Sequence, residues 1–170
     1  MDARTLALSM NLNTALRLGR TSNLPTVWTN VLAAAALSGG ALAPSLLVLA
    51  AFAASSLYVG GMFLNDAVDA DWDRRHKPDR PIAKGLVPRA AITTLAVCCL
   101  VASIAVAVTL GLGNRFTQPA VMQSGVFLGG MIVLYNVVHK RTALSVVLMG
   151  ACRGLVYLFA LSVIVDEPTA

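Results

Sequence analysis

Residues 45–73 read SLLVLAAFAASSLYVGGMFLNDAVDADWD. Twenty uncharged residues, from Ser45 to Leu64, run directly into Asn65-Asp66-Ala67-Val68-Asp69-Ala70-Asp71-Trp72-Asp73. An apolar stretch of that length suits a helix crossing a hydrocarbon core about 30 Å thick, which takes about 20 residues. If the helix continues past Leu64, Asn65, Asp69 and Asp73 fall four residues apart on one face, with Asp66 beside them, three residues before Asp69. Carboxylates so placed repel one another unless something positive sits among them. Hard oxygen ligands suit Mg²⁺, which keeps several waters and binds substrate phosphates through one or two carboxylates.

Bases follow at once: Arg74, Arg75, Lys77 and Arg80. Carboxylates next to the membrane with guanidinium groups beyond them suit a polyanion that arrives with its own metal, because arginine grips phosphate oxygens with two parallel bonds. Pro78 and Pro81 are expected to end the helix and fold the basic segment back over the acids. The bland alternative is a solvated loop of mixed charge, and only the order of acids and bases argues against it. The alternation of Asp69, Asp71 and Asp73 is not the start of a calcium-binding EF-hand loop. That loop needs Gly at its sixth position and Glu at its twelfth, where this chain has Arg74 and Arg80.

Outward from this segment the chain keeps the same character. It is 57% hydrophobic and 12% charged, about half the charge of an ordinary soluble domain. Charged residues are absent between Arg20 and Asp66, between Arg89 and Arg115, and between Arg115 and Lys140. A soluble bundle would keep a polar stripe on its helices, and these stretches have none. The sequence therefore predicts an all-α, polytopic transmembrane helix bundle of about five spans: Pro25 to Ala41, Ser45 to Leu64, Arg89 to Leu112, Pro119 to Val138 and Ala143 to Val165. Residues 1–24 form an N-terminal segment without the pattern of a secretory signal peptide, residues 25–165 the membrane domain, and 166–170 a tail. Small residues recur in the second span at Ala50, Ala54, Ser56 and Gly60, which lets helices approach closely in lipid.

The distribution of bases sets an orientation. Arg4, Arg17 and Arg20, the loop from Arg74 to Arg89, and Lys140 with Arg141 all fall on one side. The other side has Arg115 and the acids Asp166 and Glu167. The N-terminus and the charged loops are expected to be cytoplasmic, in a plasma (inner) membrane. This asymmetry accounts for the net charge of +5, so no nucleic-acid partner is called for. Cys98, Cys99 and Cys152 lie inside apolar runs and read as small core residues.

The string Asn65-Asp66-x-x-Asp69-x-x-x-Asp73, followed by Lys77-Pro78-Asp79-Arg80-Pro81 and Gly85, resembles the first aspartate-rich motif of the UbiA superfamily of intramembrane prenyltransferases. The segment from Arg20 to Asn30 resembles the family's first helix. Tyr135 to Arg141 resembles the end of its fourth, where a Tyr and a Lys usually stand. The resemblance implies that Asn65, Asp69 and Asp73, with Asp66 beside them, hold Mg²⁺ against the diphosphate of an isoprenoid donor. It places Arg74 and Arg80 near that diphosphate, and Asn30 facing the same cavity. Tyr135 and Lys140 would lie close to the allylic carbon or the leaving group. The usual spacing of Tyr, three residues, then Lys puts His139 rather than Lys140 at the cationic position, and either residue can fill it. Tyr135 can equally be an interfacial anchor, and Asp66 and Asp71 either tune the site or are solvated.

The implied activity is transfer of an isoprenoid chain from an allylic diphosphate to a lipophilic acceptor, commonly aromatic in this family. Arg153 adds a candidate of another kind. A cation at mid-span costs about 2.5–3.5 kcal/mol on insertion scales, so it is read as facing the cavity, with bonding to backbone carbonyls as the alternative. The family usually has nine membrane helices and a second aspartate-rich motif. Asp166-Glu167-Pro168 lacks that spacing, and the resemblance covers the family's first half. Two other readings are a split or truncated member, inactive alone and needing a second chain that carries the missing helices, and a non-enzymatic membrane protein that binds or transports anionic lipid. The Asp-Gly…Ala-Arg pattern of the CDP-alcohol phosphotransferases is absent.

Overall fold

The computed structural model describes residues 12–39, 43–113, 118–140 and 142–164. Arg4, Arg115, Arg141, Asp166, Glu167 and the middle of the turn after Gly39 lie outside them. The regular elements of the described residues are all helices, without strands: α1 (Leu12–Leu18), a single 3₁₀ turn (Thr21–Asn23), α2 (Leu24–Ser38), α3 (Pro44–His76), α4 (Arg89–Gly113), α5 (Gln118–Val138) and α6 (Ser145–Ile164). The last four are long and apolar enough to cross a membrane. The first expected span is present as α2, but its 15 residues extend only about 22 Å. Pro sits in the first turn of both α2 and α3, where its missing N–H has no intrahelical acceptor to lose. Gly39 caps α2 in the left-handed conformation, at φ 64°.

Helices α2 to α6 close into a ring in chain order, with α2 returning to α6, and α3 also touches α5 and α6. Small residues make this possible. Ala50, Ala53, Ala54 and Gly60 of α3 are buried. A Cβ on Gly60 would stand 3.0 Å from Cys99 Cβ and 3.2 Å from the Ala96 carbonyl of α4. A Cβ on Gly61 would stand 2.9 Å from Ile132 Cγ2 of α5. Phe159, Leu57, Leu128 and Val31 fill the centre. Polar stitches between helices include Trp28 Nε1, which donates to Ser55 Oγ at 3.0 Å, and a bond of 2.8 Å shared by Ser124 and Ser162.

Helix α3 dictates where chemistry can occur. Its 33 residues extend about 50 Å, well beyond a ~30 Å hydrocarbon core, so its last turns carry the acids past the apolar bundle. The helix stops at His76, before Pro78, with the Lys77 amide still bonded to the Asp73 carbonyl at 2.7 Å. The following segment folds back because Ile82 and Val87 are buried with Leu18, Phe63, Ala67 and Ala70 in a second small core. Its turns are closed by bonds from the Lys84 amide to the Arg80 carbonyl and from the Leu86 amide to the Pro81 carbonyl.

Candidate active site

Asp66, Asp69 and Asp73 face inward at the end of α3, only 4%, 8% and 3% exposed. Spacings of three and four residues put them on one flank of the helix. Buried carboxylates need cations or hydrogen bonds to offset lost hydration, and two cations and an imidazole stand beside them here. Arg80 Nη1 donates to Asp66 Oδ1 at 2.7 Å, while its Nε lies 3.8 Å from Asp73 Oδ2. Lys140 Nζ donates to Asp69 Oδ1 at 2.8 Å. His139 Nε2 lies 3.3 Å from the same oxygen, and its Nδ1 lies 3.0 Å from the Asn136 carbonyl. Both contacts are hydrogen bonds at once only in the doubly protonated ring.

Three stretches of chain thus meet: the end of α3, the folded-back segment after it, and the turn that closes α5. Arg80 is brought there by the burial of Ile82 beyond it. His139 and Lys140 are brought there by α5 leaning on Gly61. His139 Nε2 and Lys140 Nζ both approach one oxygen of Asp69. Tyr135, one turn before His139, stacks on its ring with centroids 5.3 Å apart.

Other candidates stand apart from this cluster. Asn65 is half-buried on the edge of the acidic flank. Asp71 is exposed and pairs with Arg74 and Arg89, so Arg74 points along the surface of α3 rather than to the buried acids. Asn30 accepts a hydrogen bond of 2.9 Å from the Tyr157 hydroxyl of α6. Arg153 lies on the exposed flank of α6, and among the described residues no ion pair holds it.

Among the described residues, no three His, Cys, Asp or Glu side chains converge closely enough to chelate a metal ion. The donor set does fit Mg²⁺ bound in its usual manner, by one or two carboxylates with water and phosphate completing the shell. It does not fit a closed all-protein cage.

Two residues of this region had no role in the sequence reading. Asn136 is buried, donates through Nδ2 to the Ile132 carbonyl at 2.8 Å and the Gly61 carbonyl at 3.4 Å, and its Oδ1 has no hydrogen-bond partner among the described residues. An amide inside an apolar span was the available signal. Trp72 lies against Lys140, a contact that nothing in the linear sequence indicates.

The match to known proteins follows this geometry. The model of the UbiA prenyltransferase family matches residues 24–169. The chain belongs to the UbiA prenyltransferase family. A digeranylgeranylglyceryl phosphate synthase of Methanoculleus marisnigri is 28% identical over 151 residues, covering 88% of this chain and 51% of that protein. A solved structure from work on a digeranylgeranylglyceryl phosphate synthase in membranes superposes with a TM-score of 0.75 at 21% identity, over 88% of this chain and 52% of the other. That likeness fixes the fold as the UbiA type of helical bundle. The chain spans about half the length of the relatives it matches. It is an integral membrane protein: the family match and four membrane-length helices agree.

Proposed function

We propose that the chain carries the diphosphate-binding half of a Mg²⁺-dependent prenyltransferase, which moves an isoprenoid chain from an allylic diphosphate to a lipophilic acceptor. The observation that carries this reading is the buried flank of Asp66, Asp69 and Asp73 ringed by Arg80, His139 and Lys140. Acids alone at a membrane edge suit a cation, and bases alone suit an anion. Both sets interleaved, at ion-pair distance, suit a metal–diphosphate pair that can exchange partners with them.

In this proposal Asp69 and Asp73 are the principal metal ligands, with Asn65 and Asp66 at the edge of the same shell. Held by these residues, Mg²⁺ would supply positive charge that offsets the diphosphate and eases its departure. Arg80 and Lys140 are released from their carboxylates and donate to the phosphate oxygens, Arg80 with its planar fork and Lys140 as a point charge. His139 donates alongside Lys140, and Tyr135, stacked on that imidazole, faces the allylic carbon as it gains positive charge. The apolar helices around the site exclude the water that would otherwise capture that carbon. Arg153 and Asn30 line the acceptor side, and Arg74 draws the diphosphate toward the rim. The asymmetry of the bases supports a cytoplasmic rim, in this proposal that of a plasma membrane.

The acceptor expected from the family resemblance is aromatic. The name of the Methanoculleus marisnigri relative favours a second reading, a glyceryl phosphate acceptor. A transfer assay in liposomes with Mg²⁺ and a labelled allylic diphosphate, offering each acceptor separately, distinguishes them. The same assay on an Asp69→Ala, Asp73→Ala double variant tests the site: turnover should vanish, and turnover that survives rejects it. Binding of Mg²⁺-pyrophosphate without turnover supports the split reading, in which a second chain completes the cavity. Movement of anionic lipid without consumption of donor supports transport instead.

A further inference from the structure

Lys140 stands two residues beyond the end of α5, in a turn, so helix geometry does not aim its four-carbon stem. Two groups on α3 aim it instead. Its ammonium lies 2.8 Å from Asp69 Oδ1 and 3.9 Å from the centroid of the Trp72 ring. Trp72 follows Asp69 by three residues, so carboxylate and indole are neighbours on one flank of α3. The indole is fixed in turn by the His76 ring, stacked on it at 4.2 Å with 15° between planes. A second ammonium, that of Lys77, lies 5.3 Å from the same centroid.

We infer that Trp72 is a positioning residue, whose indole holds the Lys140 ammonium at the rim of the aspartate flank when Asp69 is given over to another cation. The inference rests on the proposed role of Lys140 toward the diphosphate. The physical need is specific. Once Asp69 is engaged elsewhere, Lys140 loses the one carboxylate that pairs with it among the described residues. Its side chain is 30% exposed, and a flexible, strongly hydrated ammonium then drifts into water. An aromatic face within about 6 Å attracts the cation without competing for the metal, since it offers no lone pair. Trp72 itself is 39% exposed, which makes an interfacial anchor the plain alternative. Such an anchor would act without regard to Lys140.

A double-mutant cycle separates the two. The affinity of the detergent-solubilised chain for pyrophosphate with Mg²⁺ is measured for wild type, Trp72→Leu, Lys140→Met and the pair. A cation–π contact at a partly exposed site is worth about two- to fivefold in affinity. Trp72→Leu should weaken binding by that factor, Trp72→Tyr should restore most of it, and Trp72→Leu should cost nothing further once Lys140 is Met. A Trp72→Leu loss of equal size in both backgrounds, or none in either, overturns the inference while the functional reading stands. Unchanged binding in Lys140→Met, or no binding by wild type, overturns the functional reading and this inference with it.

A second measurement needs no ligand. The chain has two tryptophans, so Trp28→Phe leaves Trp72 as the sole indole. Lys140→Met in that background should shift its emission maximum, and an unshifted spectrum overturns the contact.

Discussion

Lys140 Nζ lies 2.8 Å from Asp69 Oδ1, which ties the turn after α5 to the middle carboxylate of α3. Arg80 does the same for Asp66 from the segment after α3. The acidic flank is therefore held by cations from two separate stretches of chain, each anchored by its own apolar contacts. On the proposed function such a site would bind its ligand by exchanging partners, because each carboxylate freed for a metal frees a cation for phosphate.

Arg80 should matter to stability as well as to binding. Arg80→Ala leaves the Asp66 carboxylate buried without its partner, which costs about 1–3 kcal/mol, toward the low end because Arg80 is itself about a third exposed. Arg80→Lys should recover only part of this, since a point charge cannot serve Asp66 and Asp73 together. Asp71 pairs with Arg74 and Arg89 at the surface, so Asp71→Asn should change stability by less than about 1 kcal/mol. Thermal melts in detergent check the order of the three variants.

Gly61 sets the distance between α3 and α5 just below the site. A side chain there would drive a Cβ to within 2.9 Å of Ile132 Cγ2. Gly61→Val should cost about 1–3 kcal/mol through overpacking, and should weaken Mg²⁺-pyrophosphate binding by pushing His139 and Lys140 away from Asp69. Gly130, one helical face away on α5, has no described atom within 4 Å of its Cβ position. Gly130→Ala should leave both stability and binding at or above wild type.

Arg153 is exposed in the middle of α6, where a cation costs about 2.5–3.5 kcal/mol on insertion scales. Arg153→Leu should therefore leave membrane insertion intact or improve it, while impairing prenyl turnover. Unchanged kinetics, measured with the same donor and acceptor, would remove Arg153 from the site.

The parts of this arrangement that follow from helical phase and composition are legible in the sequence. Apolar runs bounded by charge gave the helices, and the acids from Asp66 to Asp73 read as one flank because α3 continues without a break. What the sequence leaves open depends on tertiary contacts between distant stretches. Arg80 reaches Asp66 because Ile82 and Val87 find a small core under α3, and no local pattern announces that. His139 and Lys140 look like alternatives in one dimension, yet a turn lets both reach Asp69. That the Asn30 side-chain oxygen accepts the Tyr157 hydroxyl, 127 residues away in sequence, is likewise written in no local pattern. The first span, expected to reach Ala41, is described as helix only to Ser38, ending at a left-handed Gly39.

The most direct test is calorimetric titration of the detergent-solubilised chain with pyrophosphate, with and without Mg²⁺, for wild type and for an Asp69→Ala, Asp73→Ala double variant. The account predicts binding that requires Mg²⁺ in the wild type and is lost in the variant, by at least about tenfold, in line with the loss of a charge-assisted pair. Equal affinity in the two proteins, or binding by the wild type that ignores Mg²⁺, would contradict it.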